Sequence, residues 1–257
     1  MYGKYSKLYA EWCECYDPNK IELSVIEKYF EVENKDILDI GCGTGRFIFR
    51  ILPMVKSVIG IDNDAESLNI LNQLLKKRYN RYFSKVTLFC ENVEEFVMEK
   101  KIIDLAIFSW SFYALNKQQM IHSLANIYTM LRDNGKLIIL QPVGGEFEET
   151  MRMFFKEHVD MDEYNVALEL MNEVTAQSYL QIATDKVVSE FVVKDLKMLC
   201  DALKMFAVTE GESHKDALLQ ITLDKVHSKL KKFKQNDGYH LSDEVDVFVY
   251  KKRGLEK

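Results

Sequence analysis

Short apolar runs alternate with amphipathic stretches between residues 37 and 141. The runs are apolar at consecutive positions, which is typical of parallel strands buried on both faces. The stretches between them carry apolar residues at helical spacing. The pattern predicts strands over 37–40, 58–61, 86–89, 103–108 and 136–140, and helices over 45–54, 64–79 and 117–131. We therefore expect a doubly wound, Rossmann-like α/β fold with a mostly parallel sheet and helices on both faces.

A glycine-rich turn follows the first predicted strand. Asp39 precedes glycine at every second position, Gly41, Gly43 and Gly45. Glycine lets the backbone turn sharply and lets a ligand approach it closely, and the next helix begins with free N–H groups. Arg46 follows directly, so the last glycine comes one residue too early for the dinucleotide fingerprint G-x-G-x-x-G. The turn therefore predicts a nucleotide-type cofactor and disfavours an NAD-linked enzyme.

Residues 39–45 read DIGCGTG and resemble the first motif of class I S-adenosylmethionine-dependent methyltransferases, D/E-x-G-x-G-x-G after an apolar strand. The resemblance implies S-adenosylmethionine as cofactor and S-adenosylhomocysteine as product. It places the turn backbone, including Cys42, against the methionine part of the cofactor. It also implies that Asp39 holds the cofactor amino group.

The second strand ends at Asp62, seventeen residues beyond Gly45, where a carboxylate is expected to accept the ribose hydroxyls. The resemblance implies the same contact and places Asn63 beside the adenine. Asp64 is then free to cap the next helix. The alternative is that these three residues only cap that helix.

The residues that directly follow the third and fourth predicted strands are further candidates for cofactor and substrate contacts. The resemblance implies adenine contacts from Glu91, Asn92 and Val93, although Asn92 is equally suited to cap a short helix over 93–98. Ser109 and Trp110 are expected to face the methyl group, with Trp110 also a catalytic candidate. Phe112 and Tyr113 are expected to line the substrate pocket, because aromatic rings attract a sulfonium and exclude water. Core packing is the alternative for these aromatic residues.

Aromatic residues near the N-terminus recur at steps of three and four, which places them on one face of a helix. Packing against the core is the simplest interpretation. The segment also resembles the lid helix of small-molecule methyltransferases, which implies a cofactor contact for Tyr9 and substrate contacts for Trp12 and Tyr16.

The chain beyond residue 141 is expected to form a cap and then to complete a seven-stranded sheet. Between residues 142 and 170, eight acidic residues face two basic ones, which suits a cationic substrate, although a solvated helix face explains them as well. Gln141 and Glu146 are substrate candidates. Asp160 is expected to orient the substrate amine, and His158 to take a proton.

The resulting organisation has four parts. Strands near 186–193 and 245–250 resemble the antiparallel pair that ends the sheet in small-molecule methyltransferases. The parts are a helical lid (1–30), a cofactor-binding core (31–141), a helical cap (142–185) and a C-terminal part that completes the sheet (186–257).

Composition narrows the possible partners of this 257-residue chain. A net charge of −6 argues against a nucleic-acid surface, and no apolar stretch reaches the length of about 18 residues that a membrane span needs. Five cysteines without a C-x-x-C pair indicate reduced thiols, and the histidines lack metal-ligand spacing. We expect a cytoplasmic protein without a metal, acting on a small molecule or short peptide.

These observations favour an N-methyltransferase that acts on a small cationic molecule or a short modified peptide. The first alternative is an O-methyltransferase for a carboxylate or hydroxyl of a metabolite. The second, of another class, is a cofactor-binding partner protein without catalysis.

Overall fold

The computed structural model describes residues 3–98, 102–154, 161–209, 218 and 221–253. Seven strands in these residues form one sheet: β1 Asp36–Ile40, β2 Ser57–Asp62, β3 Val86–Cys90, β4 Ile103–Ser109, β5 Leu131–Gly144, β6 Tyr179–Val193 and β7 Tyr239–Lys252. The strand order is β3-β2-β1-β4-β5-β7-β6. The first five strands pair in parallel, and β7 is antiparallel to β5 and β6. The predicted Rossmann-like α/β fold is confirmed.

The α-helices among the described residues are α1 Ser6–Cys13, α2 Ile21–Glu27, α3 Arg46–Ile51, α4 Ala65–Arg78, α5 Lys117–Met130, α6 Glu146–Phe154, α7 Met161–Ser178, α8 Leu196–Thr209 and α9 Leu223–Leu230. Short 3-10 turns occur at Gly3–Tyr5, Asn80–Lys85, Phe112–Ala114 and Lys231–Phe233. None of these helices is both long enough and apolar enough to cross a bilayer.

Alternate residues of the central strands enter two different cores. In β4, Leu105 and Ile107 pack in a core that also holds apolar side chains of α2, α3 and α4. Ala106 and Phe108 enter the opposite core, together with side chains of α5 and α7. Because helices cover both faces, these strands read as continuous apolar runs in the sequence.

A third apolar cluster lies where the C-terminal end of β6 meets the start of β7. It joins side chains of α1, α6, α8 and α9 to the end of β6 and the start of β7. Trp12 of α1 stacks on Phe191 of β6 with ring centroids 4.6 Å apart. Helices α6 and α7 both fall in the predicted cap over 142–185, but they pack in different places. Helix α6 belongs to this third cluster, whereas α7 packs with α5 in the core that contains Ala106 and Phe108.

Several element boundaries differ from those predicted. β6 begins at Tyr179, and β7 covers Tyr239–Lys252, because the two pair along their whole length. Much of β6 has outward-facing exposed residues, so its pattern lacks a continuous apolar run. The structure shows no helix over 93–98.

Candidate cofactor and acceptor site

The three glycines of the turn after β1 are needed for different structural reasons. All three have positive φ angles: 69° at Gly41, 52° at Gly43 and 93° at Gly45. A Cβ atom would lie 2.4 Å from Ser111 Cβ at Gly41, and 2.4 Å from Leu71 Cδ1 at Gly45. At Gly43 it would meet no heavy atom within 4 Å. The outer glycines therefore allow close packing, whereas the middle one borders open space.

Asp62 holds the turn at the end of β2. Its Oδ2 accepts a hydrogen bond from the Gly43 N–H at 2.7 Å, and its Oδ1 accepts one from the Asp64 N–H at 2.9 Å. Burial raises the pKa of Asp62, although these two backbone bonds oppose the rise. Asp64 caps α4 through the N–H groups of Glu66 and Ser67, as predicted. Asp62 is therefore free of the capping role.

A cavity of about 250 Å³ lies at the carboxyl ends of β1, β2 and β4. Most of the predicted cofactor residues line it: Tyr9, Asp39, Gly41, Cys42, Gly43, Asp62, Asn63, Glu91, Val93, Ser109 and Trp110. Gly45 and Asn92 do not. Gly45 packs against α4, and the Asn92 side chain accepts a hydrogen bond from Asn63 Nδ2 at 3.1 Å.

Asp39 is the most unusual group at this cavity. Its side chain is 1% exposed, and neither carboxylate oxygen has a hydrogen-bond partner. Burial raises its pKa to about 7. A buried carboxylate without a partner is costly, so this position suits a ligand that brings a positive charge and N–H donors.

Trp110 has a strained backbone at the end of β4. Its φ of 65° is rare for a bulky residue and marks candidate functional positions. The indole ring is held by the guanidinium of Arg46, whose Cζ lies 4.1 Å from the ring centroid, and by the Tyr16 ring at 4.7 Å. The indole Nε1 is buried and has no hydrogen-bond partner.

Arg46 is a further site residue. The sequence indicated only that it occupies the position of the third glycine in the dinucleotide fingerprint. It lines the cavity, and its Nη1 donates to both carboxylate oxygens of Glu22 at 2.9 and 2.8 Å. Its Nη2 donates to the Ser109 hydroxyl. The Glu22 side chain is fully buried. The ion pair thus joins α2 to the start of α3 and positions the guanidinium over Trp110.

Three predicted substrate residues do not line the cavity. Trp12, Tyr16 and Phe112 are each 1% exposed. Trp12 and Tyr16 pack on Phe191, and Phe112 packs on Phe108 of β4. Their aromatic rings therefore contribute to apolar cores. Tyr113, in contrast, is 46% exposed and lines the cavity.

The other predicted substrate and catalytic residues lie elsewhere. Gln141 is buried on β5, outside the cavity lining. Glu146 also lies outside it, and its carboxylate accepts from the Ser242 N–H at 2.9 Å, which ties the start of α6 to β7. His158 and Asp160 fall outside the described residues. Within the described ranges, no three His, Cys, Asp or Glu side chains are grouped to hold a metal ion.

Comparison with known proteins identifies the domain that contains the cavity. Residues 37–135 match the family model described as a methyltransferase domain. A Saccharomyces cerevisiae protein named "Probable S-adenosylmethionine-dependent methyltransferase CRG1" is 27% identical over 135 residues, which cover 51% of this chain. Residues 37–135 therefore form a methyltransferase domain of the S-adenosylmethionine-dependent type. The resemblance drawn from residues 39–45 is thereby confirmed.

Two further proteins are similar to parts of this chain or to its fold. A Dictyostelium discoideum protein named protein arginine N-methyltransferase 1 is 32% identical over 93 residues, or 36% of this chain. The matched part spans 45% of the yeast relative's length and 26% of the Dictyostelium relative's length. The crystal structure of a candidate methyltransferase from Bacillus halodurans C-125 matches 92% of this chain and 100% of that one, with a TM-score of 0.56 at 12% identity. That likeness supports the methyltransferase fold alone.

Proposed function

We propose that this chain transfers a methyl group from S-adenosylmethionine to a nitrogen of a small cationic molecule or short modified peptide, and releases S-adenosylhomocysteine. The observation that carries the proposal is the buried, unpartnered Asp39 beside the open space at Gly43, within a methyltransferase domain. The cofactor, when bound, supplies an electrophilic methyl group on a sulfonium. The chain's residues then have to orient the acceptor and exclude water.

The turn residues fit this cofactor. Asp39 offers two free carboxylate oxygens to an ammonium group, which matches the charged amino group of the methionine part. The space at Gly43 leaves room for a ligand against the backbone. Both oxygens of Asp62 already accept one backbone hydrogen bond, and each keeps a lone pair for a ribose hydroxyl.

The charge of the cavity supports a cationic acceptor. The charged side chains that line it are those of Asp39, Asp62, Asp64, Glu91, Glu94 and Arg46. Arg46 is the single basic one among them, and Glu22 already pairs with it. The cavity therefore has an excess of negative charge, which favours positively charged ligands.

Some acidic residues of the predicted cap are already paired within the chain. They therefore support a cationic acceptor less strongly than their number alone indicates. Glu146 is bonded to Ser242, and Glu148 forms an ion pair with Arg152 one helical turn later. The lining of the cavity is the stronger support. The Dictyostelium relative, whose name assigns it to arginine nitrogen, is consistent with a cationic nitrogen acceptor.

The experiment is methyl transfer from S-adenosylmethionine labelled with tritium in its methyl group. The purified chain is offered amines, guanidines and short peptides, together with matched carboxylic acids and alcohols. We expect label on nitrogen, with product formation lost in Asp39→Asn. Label that appears only in esters or ethers would overturn the nitrogen assignment, and absence of transfer to every acceptor would favour a non-catalytic cofactor-binding protein.

A further inference from the structure

Asp243 of β7 is a second buried carboxylate that the site described above does not use. It is 4% exposed, and its Oδ2 has no hydrogen-bond partner. Its neighbour Glu244 pairs with Gly144, the last residue of β5. Asp243 therefore lies at the carboxyl edge of the sheet, where ligands of parallel sheets bind.

The strand register brings Asp243 to the same side of the sheet as Tyr16. Asp243 pairs with Ser189 of β6, and the Ser189 hydroxyl donates to Asp17 at 2.7 Å. Tyr16 forms a bridge with Phe191, two residues further along β6. Since alternate residues of a strand share a face, Ser189 and Phe191 point to one side.

Three buried polar atoms without partners accompany this arrangement. They are Asp243 Oδ2, the Tyr16 hydroxyl and Trp110 Nε1. The Tyr16 and Trp110 rings are in contact, with centroids 4.7 Å apart. Buried polar atoms are nearly always hydrogen-bonded in folded proteins, so a group of three requires an explanation.

Arg46, the basic group whose charge acts on Asp243, is already paired. Its guanidinium is bonded to Glu22 at 2.8 Å. Among the described residues no ion pair includes Asp243. Burial raises its pKa well above the ordinary value, with a partial opposing effect of Arg46. The buried Oδ2 of Asp243 is therefore left without a partner from the described part of the chain.

We propose that Asp243, Tyr16 and Trp110 form the acceptor subsite, and that it takes an amine with a hydroxyl or carbonyl oxygen near the nitrogen. Asp243 accepts the N–H groups of the amine, and the Trp110 indole N–H and the Tyr16 hydroxyl bind the oxygen. Trp110 belongs to both this subsite and the cofactor cavity, which joins the two. This inference rests on the proposed nitrogen methylation.

Asp243 also accounts for the proton of the acceptor. A protonated amine has no lone pair for attack, so its proton passes to the Asp243 carboxylate first. The freed lone pair forms the new N–C bond as the C–S bond of the sulfonium breaks, and the electron pair of that bond stays on sulfur. The product nitrogen carries the positive charge that the sulfonium loses, and Asp243 carries the proton.

The first test measures binding to the chain saturated with S-adenosylhomocysteine. The probes are primary amines with a nearby oxygen, of which glycinamide and ethanolamine are the smallest, with n-propylamine and N-acetylglycinamide for comparison. Saturation-transfer NMR is expected to show binding of the oxygen-bearing amines, weaker binding of n-propylamine and none of N-acetylglycinamide. Failure of every oxygen-bearing amine to bind would overturn the proposal.

The variants Asp243→Asn and Glu244→Gln provide the matched comparison. Glu244 is the next residue of β7 and forms an exposed ion pair with Lys186. We expect Asp243→Asn to weaken amine binding at least about tenfold and to lower kcat/KM by roughly 100-fold or more, the usual range for loss of a catalytic acid or base. The affinity for S-adenosylhomocysteine is expected to stay unchanged, and Glu244→Gln to behave as wild type.

Thermal denaturation separates this role from a structural one. Because Asp243→Asn removes a buried acidic group that has no ionic partner among the described residues, we expect the Tm of the variant to equal or exceed that of wild type. A lower Tm together with unchanged amine binding would overturn the inference. If the wild-type chain binds the amines but never methylates nitrogen, the proposed function fails while the subsite stands. If Asp243→Asn methylates amines as wild type does, the subsite fails while the proposed function stands.

Discussion

The cofactor side and the acceptor side of this site are built in different ways. The cofactor side consists of one continuous turn and single residues at the ends of neighbouring strands, and backbone N–H groups fix its geometry. The proposed acceptor side joins Tyr16, Glu22, Arg46, Trp110 and Asp243, which come from distant parts of the chain. Side-chain ion pairs and ring contacts hold it together. A change on the first side should therefore alter ligand affinity, and a change on the second should alter stability as well.

The largest effect is expected from Glu22→Gln, on the acceptor side. This change leaves the buried Arg46 guanidinium without its ionic partner, and breaking such a pair typically costs about 3–5 kcal/mol. Urea denaturation measures the loss. Glu173→Gln is the control, because Glu173 pairs with Lys117 at the surface, where an ion pair contributes about 0–1 kcal/mol. Equal losses in the two variants would contradict the structural role of the Glu22–Arg46 pair.

The second effect is expected from Asp62→Ala, on the cofactor side. The variant loses the carboxylate that fixes the Gly43 N–H and is proposed to bind the ribose. We expect the affinity for S-adenosylhomocysteine to fall by at least about 100-fold, close to 2.8 kcal/mol. Calorimetric titration measures it. An affinity equal to that of wild type would remove the ribose assignment.

Residues of the cofactor side could be predicted from the sequence because their function depends on local order. Strand, turn and helix follow one another along residues 37–54, and Asp62 ends the next strand. On the proposed acceptor side, Tyr16 and Trp110 were candidates from the sequence, but their grouping with Asp243 could not be predicted in this way. Asp243 belongs to a strand that extends further than its apolar run, and its position opposite Ser189 depends on pairing between β6 and β7. Tyr16 formed part of a helical aromatic pattern, which does not show that it meets Trp110.

The third prediction compares two glycines of the same turn. Both Gly43→Ala and Gly45→Ala place a side chain at positive φ, which costs roughly 1–2 kcal/mol of stability. Gly45→Ala also forces a Cβ against Leu71, so its total loss should reach about 2–5 kcal/mol with the usual cost of overpacking. Gly43→Ala should instead lower cofactor affinity, since its Cβ enters the open space.

Thermal denaturation and calorimetric titration of both glycine variants check this difference. A Gly43→Ala chain that binds S-adenosylhomocysteine as wild type does would show that the cofactor does not use that space. Equal stability losses in the two variants would show that the contact with Leu71 is readily relieved.

The last prediction is a pH dependence from Asp39. Burial raises its pKa from 3.8 to about 7, so between these values the folded chain binds one more proton than the unfolded chain. The stability of the ligand-free chain should therefore fall as pH rises from about 4 to about 7, and level off above it. Cofactor affinity should rise over the upper part of this range, because the ionised carboxylate binds the ammonium group. Asp39→Asn should lack both changes, and a variant that keeps them would assign the titration to another group.

The central claim is tested most directly by calorimetric titration of the purified chain with S-adenosylmethionine, S-adenosylhomocysteine and NAD. We expect micromolar or tighter binding of the first two and no binding of NAD, because the turn lacks the third glycine of the dinucleotide fingerprint and Asp39 requires a cationic group. Binding of NAD alone would contradict the account and require the roles of Asp39, Gly43 and Asp62 to be reassigned.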